Sequence, residues 1–285
     1  NAINHVLYVN DEVYQDGLKI TYFKEQNLII HGDKGLFPKY DFIANKKYNS
    51  SKDYFDDKGG VFKAILAQNA KRLTSSIGVY FSQNSYKSSI SINIPTKGLK
   101  QIITIANIHN NIKNCFEEIA DIDEHCARLI SNYSKKFPFV LEGEVPQNTN
   151  GFESIINMCA KVLGINSSKE FEDMALNTSM TSGIQIDMKL VSLDGVNYLD
   201  YRRIVQSIMA YKMADVDNIT LVYSFFESLS EFICNYVNEI ATDLKAKDVV
   251  LCGNMFANSI LLSKTNKTLS KNYNIILPKE YPLDY

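Results

Sequence analysis

Several features are missing from this sequence, and each absence narrows what it encodes. Neither charge sign is in excess: 30 basic residues stand against 32 acidic ones, a formal net charge of −2, so bulk charge makes no case for nucleic acid as a partner. No stretch approaches the roughly 20 consecutive apolar residues of a membrane-spanning helix, and no charged-then-apolar leader is visible, which predicts a soluble, cytoplasmic protein with no membrane partner. There is no cysteine framework. Cys115, Cys126, Cys159, Cys234 and Cys252 are odd in number and scattered through apolar patterns, as expected of reduced core thiols and not of disulfides or a zinc site. His31-Gly-Asp33 followed by Lys34-Gly35 lacks the Gly-Lys-Ser/Thr ending of a phosphate loop and is read as a hairpin turn.

What is present supports a sizeable core. The chain has 285 residues, 45% of them hydrophobic, enough for one large domain or two of ordinary size. Strand-like patterns occur at His5–Val9, Leu18–Phe23 and Leu28–Ile30, and a polar loop spans 45–60. A helix is expected over Val61–Leu73, then a pair of strands at Ile77–Phe81 and Ser89–Ile94. Leu99–Tyr133 is expected to be helical with a break near Asp121. His109, Cys115, His125 and Cys126 lie in it, but 109 and 115 are six apart and 125 and 126 are adjacent, so neither pair shares the helix face that ligands at i and i+4 require.

A polar linker at Glu142–Asn150 sets the expected boundary, giving an α/β lobe over 1–147 and a second lobe over 148–285. Gly151–Gly164 is an amphipathic helix closed by glycine. Gly183–Val191 alternates as a strand, Asp194-Gly195 turns, a helix covers Tyr198–Met209, and a long helix covers Ile219–Leu244.

The stretch from Asp248 onward carries the chemistry. Val249-Val-Leu-Cys252 has the form of a strand buried on both faces, and Gly253 stops it with a backbone free to turn and approach a ligand. A helix follows, with Asn254 and Asn258 one turn apart near its start. A strand, a glycine and a helix start form the place where α/β folds receive phosphate, because free N–H groups and the helix dipole attract anions there.

Gly253-Asn-Met-Phe-Ala-Asn258, the strand ending Leu277-Pro278 and the segment Pro282-Leu-Asp284 resemble the C-terminal part of the hydrogenase-maturation carbamoyltransferases (HypF-like), relatives of the tRNA threonylcarbamoyl-transfer proteins. The resemblance begins at Gly151 and covers a little under half the chain. It implies a mixed α/β, actin-like or sugar-kinase-like two-lobed fold. It also implies nucleotide contacts at Gly253, Asn254 and Asn258, with ATP and a divalent metal, magnesium or zinc, as cofactors. Asp284 matches the family's metal aspartate, and Ser168-Lys-Glu-Phe-Glu-Asp-Met-Ala175 occupies the place of its Ser-Tyr-Glu-Gly-Gln-Ala-Ala segment, which sets Glu170 beside the nucleotide.

The family's activity, nucleotide-dependent transfer of a carbamoyl or carboxyl group to a partner protein of hydrogenase maturation, is the first functional expectation. A homologue without catalysis, acting as an assembly or scaffolding partner in the same process, is the second. It rests on departures from the pattern. The family's His-x-x-x-His pair, counted from His109, meets Lys113; Phe171 replaces a glycine; and Phe226-Glu227 stands where the family shows Phe-His.

Overall fold

The computed structural model describes residues 19–22, 28–31, single positions at 62, 65, 66, 69 and 71, then 74–83, 88–95, 97–105, 108, 111–142 and 151–278. The strand expected at His5–Val9, the loop over 45–60, His109 and the Pro282-Leu-Asp284 segment lie outside them. Strands β1 (Lys19–Tyr22) and β2 (Leu28–His31) fall on the strand-like patterns at Leu18–Phe23 and Leu28–Ile30 and pair antiparallel.

A seven-stranded sheet organises the remainder. In chain order its strands are β3 (Ser76–Tyr80), β4 (Ser89–Ile94), β5 (Gly98–Ile105), β6 (Leu190–Leu193), β7 (Val196–Leu199), β8 (Asp248–Cys252) and β9 (Asn274–Ile276). Their order across the sheet is β6-β7-β5-β4-β3-β8-β9. β3, β4 and β5 form an antiparallel meander, whereas β8 runs parallel to β3, and β9 parallel to β8. The α/β class expected from the pattern is therefore present. The boundary at 147/148 does not divide the sheet, because β3 from before it hydrogen-bonds along its whole length with β8 from after it.

β3 is buried on both faces. Ile77 and Val79 join the main core, while on the opposite face Gly78 lies directly under the Phe62 ring, where a Cβ would come within 2.4 Å of it. Gly98–Ile105 is a strand where a helix was expected. Its Ile102-Ile-Thr-Ile105 run is β-branched, and the turn closed by Lys97 N–H on Ile94 O at 2.9 Å delivers it beside β4, so a ready partner strand prevails over helical spacing. The helical region proper is α1 (Ile112–Ala120) and α2 (Glu124–Lys136), and the expected break near Asp121 falls between them, with Asp123 capping α2.

After the linker come α3 (Phe152–Leu163), closed by Gly164 at φ 71°, and α4 (Ser168–Leu176). Then follow α5 (Tyr201–Met213), the 27-residue α6 (Asn218–Leu244) and α7 (Ser259–Leu269). α6 packs against α4, α7 and β3 and carries Phe225, Phe226 and Leu229 into the core. All five cysteines are free thiols and buried. Burial, and then the nearby Glu118 charge, push the Cys115 thiol up to about 12. No helix among the described residues is long and apolar enough to cross a membrane.

The strand expected over Gly183–Val191 begins only at Leu190. Residues 183–187 are an extended strap laid on helices. Glu227 Oε2 accepts the Gly183 N–H at 2.5 Å, Ser224 Oγ accepts Ile184 N–H at 2.9 Å, Ser228 Oγ accepts Ile186 N–H at 2.8 Å and Ser207 Oγ accepts Asp187 N–H at 3.1 Å. Helical side chains thus satisfy backbone groups that a neighbouring strand satisfies in a sheet.

Candidate functional site

The carboxyl ends of the parallel pair β3 and β8 are where an open α/β sheet receives ligands. Gly253 leaves β8 there with φ 97° and ψ 153°, a region essentially restricted to glycine. Its missing Cβ is filled by protein: a Cβ would stand 2.0 Å from Phe81 O and 2.5 Å from Phe81 C. The close approach expected of this glycine is made to the backbone of β3's end. Phe81 N–H donates to Cys252 O at 2.9 Å, and Met255 N–H donates to Phe81 O at 3.2 Å.

Asn254 opens a 3-10 turn, Asn254–Ala257, and its Oδ1 accepts the Gln83 N–H at 2.7 Å. Asn258 is fully buried and is the N-cap of α7, with Oδ1 accepting from Ile260 N–H at 3.1 Å and Leu261 N–H at 3.2 Å. Its Nδ2 donates to Glu172 Oε1 at 2.9 Å, and the other oxygen of that carboxylate accepts from Gln83 Nε2 at 2.9 Å. Gln83, Glu172, Asn254 and Asn258 therefore form one hydrogen-bonded edge built from three distant segments. Glu172 has acceptor capacity left over, since each of its oxygens receives one described bond.

Glu170 is not part of this edge. It sits in the first turn of α4, where Ser167 Oγ accepts its N–H at 3.1 Å and its carboxylate folds back onto Asn166 N–H at 3.2 Å, so it is an exposed capping residue. Residues two apart on a helix face different directions, and α4 turns Glu172 toward Asn258 while Glu170 faces solvent. Shifting the register by two sets Phe171-Glu172-Asp173-Met174-Ala175 against the family's Tyr-Glu-Gly-Gln-Ala, aromatic on aromatic and alanine on alanine. Phe171 belongs to the core. It is fully buried, edge-on to Phe225 with ring centroids 5.6 Å apart. Nothing in the sequence marks Gln83.

A second polar node lies along α7. The Lys264 ammonium pairs with the Glu227 carboxylate, donates to Thr181 O at 2.7 Å and lies 5.6 Å from the centroid of the Tyr223 ring. Burial opposes its charge, but the hydrogen bonds to Glu227 and Tyr223 outweigh that effect and raise its pKa above the ordinary lysine value. Glu227, at the place where the family shows histidine, is thus committed to an ammonium and a backbone N–H.

For a metal, the described residues do not supply a site: no group of three or more His, Cys, Asp or Glu among them is placed to hold an ion. Lys113 is exposed, Cys115 and Cys126 are buried, and exposed His125 has its Nδ1 2.9 Å from Arg128 Nη2. The candidate metal residue Asp284 lies outside the described residues.

Comparison with known proteins supplies the context. Residues 139–284 match the family described as carbamoyltransferase, Kae1-like domain, second subdomain. Protein HydE of Wolinella succinogenes is 25% identical over 184 residues, covering 60% of this chain and 33% of HydE. The crystal structure of full-length HypF in the phosphate- and nucleotide-bound form superposes with a TM-score of 0.61 at 12% identity, covering 94% of this chain and 43% of that one. The crystal structure of T. kodakarensis HypF gives a TM-score of 0.56 at 12% identity, covering 77% of this chain and 33% of its own. The chain therefore spans only a third to somewhat under half of these relatives, and at such identity the structural likeness establishes the fold. Since the matching region takes in more than half of the sequence, the chain belongs to the carbamoyltransferase family of the Kae1-like domain, second subdomain, with an α/β fold like that of the HypF structures.

Proposed function

We propose that this chain is the nucleotide-handling lobe of a HypF-like hydrogenase-maturation protein, with ATP engaged at the edge formed by Gln83, Glu172, Asn254 and Asn258. One observation carries the proposal: the Glu172 carboxylate is held between Asn258 Nδ2 and Gln83 Nε2, each at 2.9 Å, at the carboxyl ends of β3 and β8. Fixed in place with acceptor capacity to spare, it suits the hydroxyl or amino donors of a nucleotide. Asn258 fixes the head of α7 and holds the carboxylate, so orientation is provided before ligand arrives.

Within the same proposal, the bound nucleotide serves transfer of a carbamoyl or carboxyl group to an accepting partner protein in hydrogenase maturation. Asp284 is the residue proposed for a divalent metal, magnesium or zinc. An assembly role without chemistry is favoured by a different observation, Glu227 standing at the place where the family shows histidine.

The test is calorimetric titration of the full chain with ATP and magnesium, beside Glu172→Gln, Asn258→Ala and Glu170→Gln. A micromolar complex, roughly 8 kcal/mol, that weakens about tenfold in the first two variants and is unchanged in Glu170→Gln supports the nucleotide role. Carbamoyl phosphate turnover in the same preparations then separates transfer from assembly. Absence of binding by the folded wild type refutes the nucleotide role.

A further inference from the structure

We propose that Glu227 and Lys264 are positioning residues that set Glu172 against Asn258, an inference that rests on the function proposed above. α4 and the strap that follows it form one continuous run of chain, and that run touches α7 at two points. The first is the nucleotide edge, Asn258 Nδ2 to Glu172 at 2.9 Å. The second is Lys264 Nζ to Thr181 O at 2.7 Å. Asn258 at the cap of α7 and Lys264 within it are six apart, about 9 Å along a rigid helix, so the contact at Thr181, just before the strap, fixes the lateral position and tilt of α4.

Glu227 locks the second point from a third element. It receives the Gly183 N–H at 2.5 Å and pairs with the Lys264 ammonium, joining α6, α7 and the strap. Its side chain is 13% exposed and that of Lys264 33%, so loss of either partner leaves a largely desolvated charge uncompensated. The strap lies low enough for this only because residue 183 is glycine, where a Cβ would meet Ser224 Oγ at 2.3 Å. On its outer side the pair borders a cleft of about 440 Å³ shared with Glu231, Lys267 and Lys271. None of these three has an ion-pair partner among the described residues, whereas Glu227 and Lys264 pair with each other across it.

The experiment uses the ¹⁵N-labelled full chain with Lys264→Met, Lys264→Arg and the near-isosteric Glu227→Gln. The Asn258 side-chain amide resonance, Gly183 amide exchange and ATP affinity are read in each. Lys264→Met and Glu227→Gln are expected to shift the Asn258 amide, speed exchange at Gly183 and weaken ATP binding about tenfold, with Lys264→Arg restoring all three. Faster exchange at Gly183 with an unmoved Asn258 amide overturns the proposal, because the clamp then holds only the strap. If the wild type binds no ATP, the nucleotide role falls by itself, and the Asn258 amide still decides whether the clamp positions Glu172. Should Lys264→Met fail to fold, Glu227→Gln decides by the same resonances.

Discussion

Replacing Gly253 by alanine separates two explanations of the glycine that the sequence treats as one. If the residue is glycine so that ligand can approach, Gly253→Ala folds normally and loses only nucleotide. The structure predicts instead a stability defect. The position has φ 97° and ψ 153°, and a side chain forced into that region costs on the order of 1–3 kcal/mol. The new methyl would also lie 2.0 Å from Phe81 O and 2.9 Å from Phe81 N, backbone atoms that cannot rotate away. The ends of β3 and β8 must then part, which endangers the Phe81 N–H to Cys252 O and Met255 N–H to Phe81 O bonds at about 1 kcal/mol each. The combined loss is roughly 3–5 kcal/mol, a large share of the 5–15 kcal/mol that separates a typical native state from its unfolded chain. Urea unfolding followed by circular dichroism measures it directly, and thermal unfolding should show a fall of about 10 °C. A variant within roughly 1 kcal/mol of wild type would refute the close-packing account of this turn.

Two further outcomes follow from local chemistry. Asp217 caps α6, and the Thr220 backbone N–H, then the Thr220 hydroxyl, hold its carboxyl below the usual aspartate range. A depressed folded pKa contributes stability above the unfolded value and loses it as pH falls through the folded value, so acid should destabilise the wild type below about pH 4. Asp217→Asn should flatten that part of the profile; an unchanged slope between pH 4 and 2 argues against the cap. All five thiols are buried, and Cys115 is pushed up to about 12 by burial, then by Glu118, so a neutral-pH thiol reagent should label none of them until urea is added. Stoichiometric labelling of the native chain would contradict the packing around them.

Local chemistry determined much of this protein in advance. Strand β8 and the glycine after it, the amphipathic α3 closed by Gly164, the long α6 and the break near Asp121 all follow from residue pattern, because burial periodicity and caps are properties of neighbouring residues. The placement of Asn254 and Asn258 at the turn after β8 was visible in the same way. Tertiary structure decided the remainder. Ile102–Ile105 became strand because β4 stood ready to pair with it, and residues 183–187 stayed outside any sheet because hydroxyls of α5 and α6 took their N–H groups. Segments on either side of 147/148 share one sheet through long-range pairing of β3 with β8. Glu170 and Glu172 are the same residue type two places apart, and only the direction in which α4 faces α7 sends one to solvent and the other to Asn258. Gln83, Lys264 and Glu227 gained their contacts by meeting partners tens of residues away, a relation fixed by packing and absent from any local pattern.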